Sequence, residues 1–222
     1  MCGRYSLIRT GVDIEEDFDI ILDDSEVSFK YNIAPGQEIL AVTKDGQRRA
    51  RMFKWGFISA NNEDVSGGSK PINARGETVA DKWLFKSVFR ERRCLIPADG
   101  FYEWRKENKV RVPYRIRLRS GDLFAFAGVW DSWISPKKSI VETCCIITTA
   151  ANHIVEPIHS RMPVILTKDA AKIWLNTSSS TTELRELLIP FDSSEMEAYR
   201  VNDTVNNWRN DSPDNIVPAN SG

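Results

Sequence analysis

The sequence has 222 residues, of which 41% are hydrophobic and 27% are charged, which indicates one large globular domain with a buried core. No apolar run approaches the ~20 residues that a membrane-spanning helix needs, and the first residues lack a signal-peptide pattern. We therefore expect a soluble, cytoplasmic protein with no membrane partner. The net charge of −1 decides neither for nor against nucleic acid.

Hydrophobic periodicity and turn residues predict more strands than helices. Helices are predicted over 13–22, over 77–90, after Thr167, and from a capping box of Ser180 and Glu183 to Pro190. Strands are predicted over 38–43, 49–57, 93–97, 111–119, 122–130, 140–149 and 163–166.

The segment 111–119 has the clearest strand pattern. Apolar residues at even positions from Tyr114 to Leu118 alternate with arginines at odd positions from Arg115 to Arg119. This period of two predicts a half-solvated antiparallel strand with its arginines pointing outward. The polar segment 120–122 then predicts a hairpin turn into the next strand.

Two segments are irregular: the Gly/Ser-rich stretch 60–70, which predicts a mobile surface loop, and the tail from about residue 209. We find no repeat and no linker. The sequence therefore predicts an α+β fold, a β-rich single domain over 1–222. Its mostly antiparallel sheet is expected to be strongly curved or barrel-like, with several peripheral helices.

The cysteines and histidines do not form a metal-ligand pattern. The four cysteines are Cys2, Cys94, Cys144 and Cys145, and the histidines are His153 and His159. Their spacing matches no zinc site, so we expect neither a metal nor a cofactor. In a reducing cytosol the thiols are expected to stay free.

Cys2 is the most informative residue. A small second residue normally permits removal of Met1, which would leave an α-amine and a thiol on one residue. The amine can form a Schiff base with an aldehyde, and the thiol can then close onto the imine carbon to give a five-membered thiazolidine. The alternative is that Cys2 is only a small residue that begins a strand.

Three other residues are candidates for chemistry at Cys2. Asn73 precedes a predicted helix, where an Asn can also be a turn or capping residue. Glu103 lies among aromatic residues, and partial burial would raise its pKa into the range useful for proton transfer, although a surface Glu on a strand fits equally well. His159 lies between Pro157 and Pro163, and imidazole suits a proton shuttle.

Charge is distributed unevenly. Residues 11–28 are acidic, whereas 86–119 are rich in Lys and Arg, which predicts one basic face or an ordinary solvated one. Guanidinium and hydroxyl groups bind phosphate, and a flat ring can stack on an exposed base. The candidates for such contacts are Arg4, Arg75, Thr148, Arg161 and Trp55.

Taken together, these strings resemble the SRAP family, the SOS response-associated peptidases, also described as abasic-site processing proteins. The resemblance covers essentially the whole chain. It is carried by residues 1–5, 31–36, 55–56, 73–78, 94–104, 148–152, 157–163 and 205–213.

The resemblance implies a DNA-damage protein that binds single-stranded DNA and crosslinks Cys2 to abasic sites through a thiazolidine, shielding the lesion. It implies that Asn73 orients Cys2, that Glu103 transfers protons at the amine, and that His159 serves ring opening, Schiff-base steps and reversal. Arg4, Arg75, Arg161, Thr148 and Trp55 match positions expected at the DNA surface. Autocatalytic, peptidase-like removal of Met1 and lyase-type chemistry are also implied. We expect a monomer in the cytoplasm, associated with the nucleoid when bound to damaged DNA.

Two other classes remain open. Glutamine amidotransferases and related N-terminal-nucleophile hydrolases also begin with Cys-Gly, but they need a glutamine pocket that no string here matches. A non-catalytic single-stranded DNA-binding module would explain the arginines and aromatics, and it would leave Cys2 dispensable.

Overall fold

The computed structural model describes residues 2–22, 30–62 and 70–219. The expected removal of Met1 and most of the predicted loop 60–70 lie outside these residues. The strands are β1 (Tyr5–Leu7), β2 (Lys30–Ile33), β3 (Glu38–Asp45), β4 (Gln47–Trp55), β5 (Asn73–Arg75), β6 (Arg93–Ala98), β7 (Gly100–Glu107), β8 (Val110–Leu118), β9 (Phe124–Ile134), β10 (Ile140–Ala150), β11 (Arg161–Pro163), β12 (Ile165–Leu166) and β13 (Met196–Arg200). The α-helices are α1 (Gly11–Phe18), α2 (Gly76–Val79), α3 (Lys86–Glu91), α4 (Lys168–Leu175) and α5 (Thr181–Glu186).

Five strands close into a barrel in the order β10-β4-β3-β6-β9, because β10 pairs with both β4 and β9. The pairs are antiparallel except β4 with β10. Gly128 of β9 pairs with Cys94 of β6 and with Ile146 of β10. A Cβ at this position would stand 2.8 Å from the Cys94 sulfur. The short strands β5, β11 and β12 extend the barrel wall.

A second sheet has the order β13-β8-β7-β1-β2, and its neighbouring strands are antiparallel. The predicted hairpin across 120–122 is wrong, because β8 belongs to this sheet and β9 to the barrel. The turn instead carries the chain from one sheet to the other. The α+β, β-rich and barrel-like fold class is confirmed.

Aromatic side chains join the two sheets. The Tyr5 ring of β1 lies 5.4 Å from the Trp55 ring and 5.7 Å from the Phe126 ring of the barrel. Phe101 of β7 lies 6.1 Å from the same Phe126 ring. These four side chains are almost fully buried, so burial of their apolar surface holds β1 and β7 against the barrel. The start of the chain is thereby fixed beside the barrel wall.

The helices confirm some sequence predictions and correct others. Thr167 caps α4, and the capping box of Ser180 and Glu183 opens α5. The helix predicted over 13–22 ends at Phe18, since Asp19 takes the left-handed conformation. The helix predicted over 77–90 is two short helices, and the turn between them packs Phe85 against Phe57 at a ring distance of 5.2 Å. In the described ranges, no helix is both long and apolar enough to cross a membrane.

Candidate active site at the junction of the two sheets

Cys2 lies buried just before β1, and strand pairing determines what surrounds it. Tyr5 pairs with Phe101 of β7, and the Tyr102 N–H donates to the Arg4 carbonyl at 2.9 Å. Continuing this antiparallel register brings Glu103 beside the first residues of the chain. The sheet therefore places a carboxyl group next to Cys2.

Asn73 holds the backbone of Cys2. It begins β5, which runs parallel to β10 with Asn73 opposite Ile146. Its Nδ2 donates to the Cys2 carbonyl at 2.8 Å. Its Oδ1 is buried and accepts no hydrogen bond from the described residues. Asn73 is thus fixed by the pairing of β5 with β10, and it holds the Cys2 carbonyl through its amide N–H.

Burial dominates the electrostatics of the site. It raises the pKa of Glu103, which is 3% exposed, and the charge of His159 acts in the opposite direction. Burial also raises the pKa of the Cys2 thiol, and the negative charge of Glu103 raises it further. Glu103 is therefore close enough to interact electrostatically with Cys2 on one side and with His159 on the other.

His159 follows a turn in which its N–H donates to the Val155 carbonyl at 2.9 Å. Its Nδ1 accepts from the Arg161 N–H at 3.0 Å and lies 3.1 Å from the Arg161 carbonyl oxygen. A neutral ring accepts at Nδ1 and carries its proton on Nε2, whereas a protonated ring can donate to the carbonyl. The Arg161 N–H fits the neutral form, in which Nδ1 accepts and Nε2 carries the proton.

Arg161 is held by a cluster that the sequence did not predict. Its guanidinium forms a two-point ion pair with the Glu77 carboxylate, one contact being 2.9 Å, and donates to the Thr148 carbonyl at 2.7 Å. This pairing lowers the pKa of Glu77. Glu77 lies within the family-specific string 73–78, which was the only signal that pointed to it.

The Arg4 guanidinium also makes its contacts within the protein. Its Nη1 donates to Asn32 Oδ1 and to the Val205 carbonyl, both at 2.7 Å, and its guanidinium lies 5.7 Å from the centre of the Trp104 ring. Burial lowers the pKa of Arg4. Arg4 thus ties the start of the chain to a distant segment near the C-terminus, and sequence reasoning missed its partner Asn32.

Two of the five side chains predicted to contact DNA are buried in the structure. Trp55 is 1% exposed and its Nε1 donates to the Ile72 carbonyl at 2.9 Å, so its ring offers no face to a base. Thr148 is fully buried, and its hydroxyl lies 3.4 Å from the Ala74 carbonyl. Trp55 packs against Tyr5 of the second sheet, and the Thr148 hydroxyl lies 3.3 Å from the Arg161 guanidinium. Arg75, in contrast, is exposed.

The basic segment 86–119 does not form one continuous face. Arg93 is 5% exposed and donates to carbonyls at the ends of α3 and α4. Arg115, predicted to point outward, is buried and pairs with Asp99 at 2.8 Å. Within 2–22, 30–62 and 70–219, no cluster of His, Cys, Asp and Glu has the makings of a metal site.

Comparison with known proteins identifies the family. Residues 1–208 match the family described as SOS response associated peptidase (SRAP). The chain belongs to the SRAP family.

Relatives in the SRAP family match it along nearly its whole length. The abasic site processing protein YoqW of Bacillus subtilis is 44% identical over 221 residues, which cover 97% of this chain and 99% of that protein. The abasic site processing protein YedK of Escherichia coli is 28% identical over 232 residues, covering 99% of this chain and 100% of that protein. A crystal structure of a Bacteroides thetaiotaomicron protein superposes with a TM-score of 0.89 at 28% identity and covers 98% of this chain and 100% of that chain.

Proposed function

We propose that this SRAP protein binds single-stranded DNA and traps abasic sites by joining its mature N-terminal Cys2 to the lesion through a thiazolidine. The observation that carries the proposal is that Asn73 contacts the backbone of a buried Cys2 and that Glu103 lies beside it, with His159 within electrostatic reach of Glu103. The names of the relatives, which describe abasic site processing, support the same substrate.

The reaction first needs a free α-amine. While Met1 is attached, the nitrogen of Cys2 is a peptide amide and cannot form a Schiff base. Hydrolysis of the Met1–Cys2 bond consumes one water and releases methionine. We include in the proposal that the chain performs this step itself, in keeping with the peptidase name of the family.

The two bonds to the lesion then form in sequence. The Cys2 amine adds to the ring-opened aldehyde, and loss of one water gives an imine. Glu103, whose pKa burial raises, can hold the proton that the departing hydroxyl takes. The thiol sulfur then adds to the imine carbon and its proton passes to the nitrogen. The product is a thiazolidine, and the mass lost overall is one water.

The proposed ring protects the strand for a chemical reason. An open abasic aldehyde acidifies the neighbouring C–H bond, which permits β-elimination and strand cleavage. The thiazolidine has no carbonyl at that carbon. Glu103 and His159 would exchange protons with the amine, the hydroxyl group and water, while Asn73 holds the Cys2 carbonyl.

The test uses single-stranded DNA with one abasic site and protein shown by mass to begin at Cys2. We expect an adduct that survives heat without reduction and whose mass equals protein plus DNA minus one water. Cys2→Ala retains an amine, so it should give an adduct only when borohydride reduces the imine. Cys94→Ala removes a different buried thiol and should behave as wild type.

Three outcomes count against the proposal. A heat-stable, unreduced adduct from Cys2→Ala would exclude the thiazolidine. Equal adduct yields with undamaged DNA would exclude the abasic aldehyde as the reacting group. Absence of any adduct from correctly processed protein would favour a non-catalytic DNA-binding module, or a glutamine hydrolase if ammonia is released from glutamine.

A further inference from the structure

Trp83 is a large aromatic side chain that lies in solvent. It is 82% exposed and stands in the turn between α2 and α3. The neighbouring Phe85, Val88 and Phe89 are buried, and Phe89 packs against Trp174 at a ring distance of 5.7 Å. These contacts fix which side of the segment faces the core, so Trp83 stays on the outer side.

Three cations line the same outer side and form what we term the cationic stripe: Lys82, Lys86 and Arg90. The Lys86 N–H donates to the Lys82 carbonyl at 2.8 Å, so helical geometry extends back to Lys82. Residues four apart share a helix face, and successive cations therefore lie about 6 Å apart along the axis.

The residues that the structure describes leave the charge of the cationic stripe unpaired. Among the described residues, none of its three members forms an ion pair. Of the two acids in the segment 81–91, Asp81 pairs with Arg185 at 2.6 Å, and Glu91 ends α3. The surface therefore joins uncompensated positive charge with one exposed aromatic ring.

Chain connectivity links this surface to the candidate active site. Asn73 and Arg75 are two apart on β5, so their side chains lie on the same side of that strand. Strand β5 runs directly into α2, and the turn with Lys82 and Trp83 follows. Arg75 is exposed. Along the chain it lies between Asn73, which contacts Cys2, and the first residue of the cationic stripe.

We propose that Trp83 and the cationic stripe bind the part of the DNA strand that flanks the lesion, with phosphates along Lys82, Lys86 and Arg90 and a base stacked on Trp83. This inference rests on the proposed function for the identity of the strand. Positive charge with an aromatic platform is the chemistry that binds single-stranded nucleic acid without reading its sequence. The strand thus extends beyond the site on the α3 side.

The experiment compares abasic oligonucleotides of about 6 and about 20 nucleotides, with the lesion near either end of the long strand. The stripe variant replaces Lys82, Lys86 and Arg90 by Gln. Its matched control replaces Arg49, Lys137 and Lys138 by Gln. These three residues are exposed, and each comes earlier in the chain than the residue of β4 or β10 at which those two strands pair. Both variants change net charge equally. Trp83→Ala and Trp83→Phe test the ring.

On the long strand we expect the stripe variant and Trp83→Ala to lose about tenfold in noncovalent affinity and in adduct rate at low protein concentration. On the short strand they should match wild type. The salt dependence of binding should fall by about two in slope for the stripe variant. Trp83→Phe, which keeps a ring, should retain most of the affinity.

Equal behaviour of the stripe and control variants on the long strand would overturn the inference, as would equal losses on both strands. If wild type forms no adduct with either strand, the proposed function fails on its own. The noncovalent affinities for the long strand would still decide whether the stripe binds DNA. Unchanged melting temperatures would show that the variants are folded.

Discussion

At the residue scale, the candidate site combines a buried nucleophile with a buried acid. Burial disfavours the charged forms of both the Cys2 thiol and the Glu103 carboxyl group. A raised pKa makes a carboxyl group a better proton donor than an exposed glutamate. In the proposed reaction this favours acid catalysis of imine formation, while burial of the carboxylate costs stability.

The stability that the protein loses by burying the Glu103 carboxylate can be measured with the variant Glu103→Gln. Because the pKa is raised in the folded state, stability falls as pH rises from the ordinary value of 4.5 through the folded value. Gln carries no charge, so above that interval the variant should melt about 2–4 °C higher than wild type, and below it the gain should vanish. Calorimetry at several pH values measures this.

Glu77→Gln is the control for that measurement. Its pairing with Arg161 lowers the pKa of Glu77, so its contribution to stability is present above the unfolded pKa and is lost as pH falls. Glu77→Gln should therefore not raise the melting temperature at neutral pH. A wild-type melting temperature for Glu103→Gln at every pH would contradict the argument from burial.

A substitution at Asn73 tests whether this residue positions Cys2. Asn73→Asp keeps the size of the side chain but has no N–H to donate to the Cys2 carbonyl. Misplacement of a nucleophile by about 1 Å costs on the order of 100-fold in rate, so we expect adduct formation to slow by 10- to 100-fold. Affinity for an undamaged strand should change by less than about threefold. A rate equal to wild type would show that Asn73 does not orient Cys2.

At the element scale, one buried ion pair links three strands of the second sheet, β1, β8 and β13, to Asp99, which directly precedes β7. Arg115 of β8 bonds to Asp99, to Ser6 of β1 at 3.3 Å and to the Tyr199 hydroxyl of β13 at 3.0 Å. Asp99 in turn accepts from Ser6 at 2.6 Å. Gly100, which begins β7, leaves room for the guanidinium, because a Cβ there would stand 2.7 Å from it.

Removal of one member of this pair should be costly. Arg115→Met leaves Asp99 buried without its partner, and we expect a loss of about 3–5 kcal/mol in the free energy of unfolding. Arg117→Met is the matched control from the same strand. Its pair with Glu197 is 39% and 32% exposed, so its loss should be about 0–1 kcal/mol. Similar denaturant midpoints for the two variants would contradict this.

At the scale of the whole molecule, affinity for DNA must come from local surfaces, since the net charge is −1. Noncovalent binding of an undamaged strand should weaken with salt, by a slope of about −0.7 for each phosphate contacted. The final yield of the covalent adduct should not depend on salt, because salt does not weaken the covalent bonds to Cys2. Salt-independent noncovalent binding would exclude the proposed phosphate contacts.

Sequence patterns predicted β8, β9 and β10, because apolar residues recur along them, but they missed the eight-residue strand β7, which carries Glu103. The three-residue strands β1 and β5 were missed, since so few residues have no measurable period. These short strands carry Asn73 and the start of the chain, so the missed elements build the site. Arg115 was assigned outward because alternation alone cannot reveal a buried partner.

The sequence by itself determined the family and the β-rich class, and it singled out Cys2, Asn73, Glu103 and His159 as candidates, because these inferences rest on residue type and local strings. Only the tertiary structure decided which residues meet and which are accessible. In the structure Trp55 and Thr148 are buried, Glu77 pairs with Arg161, and Trp83 is exposed. The physical reason is that burial and pairing depend on contacts between segments far apart in sequence.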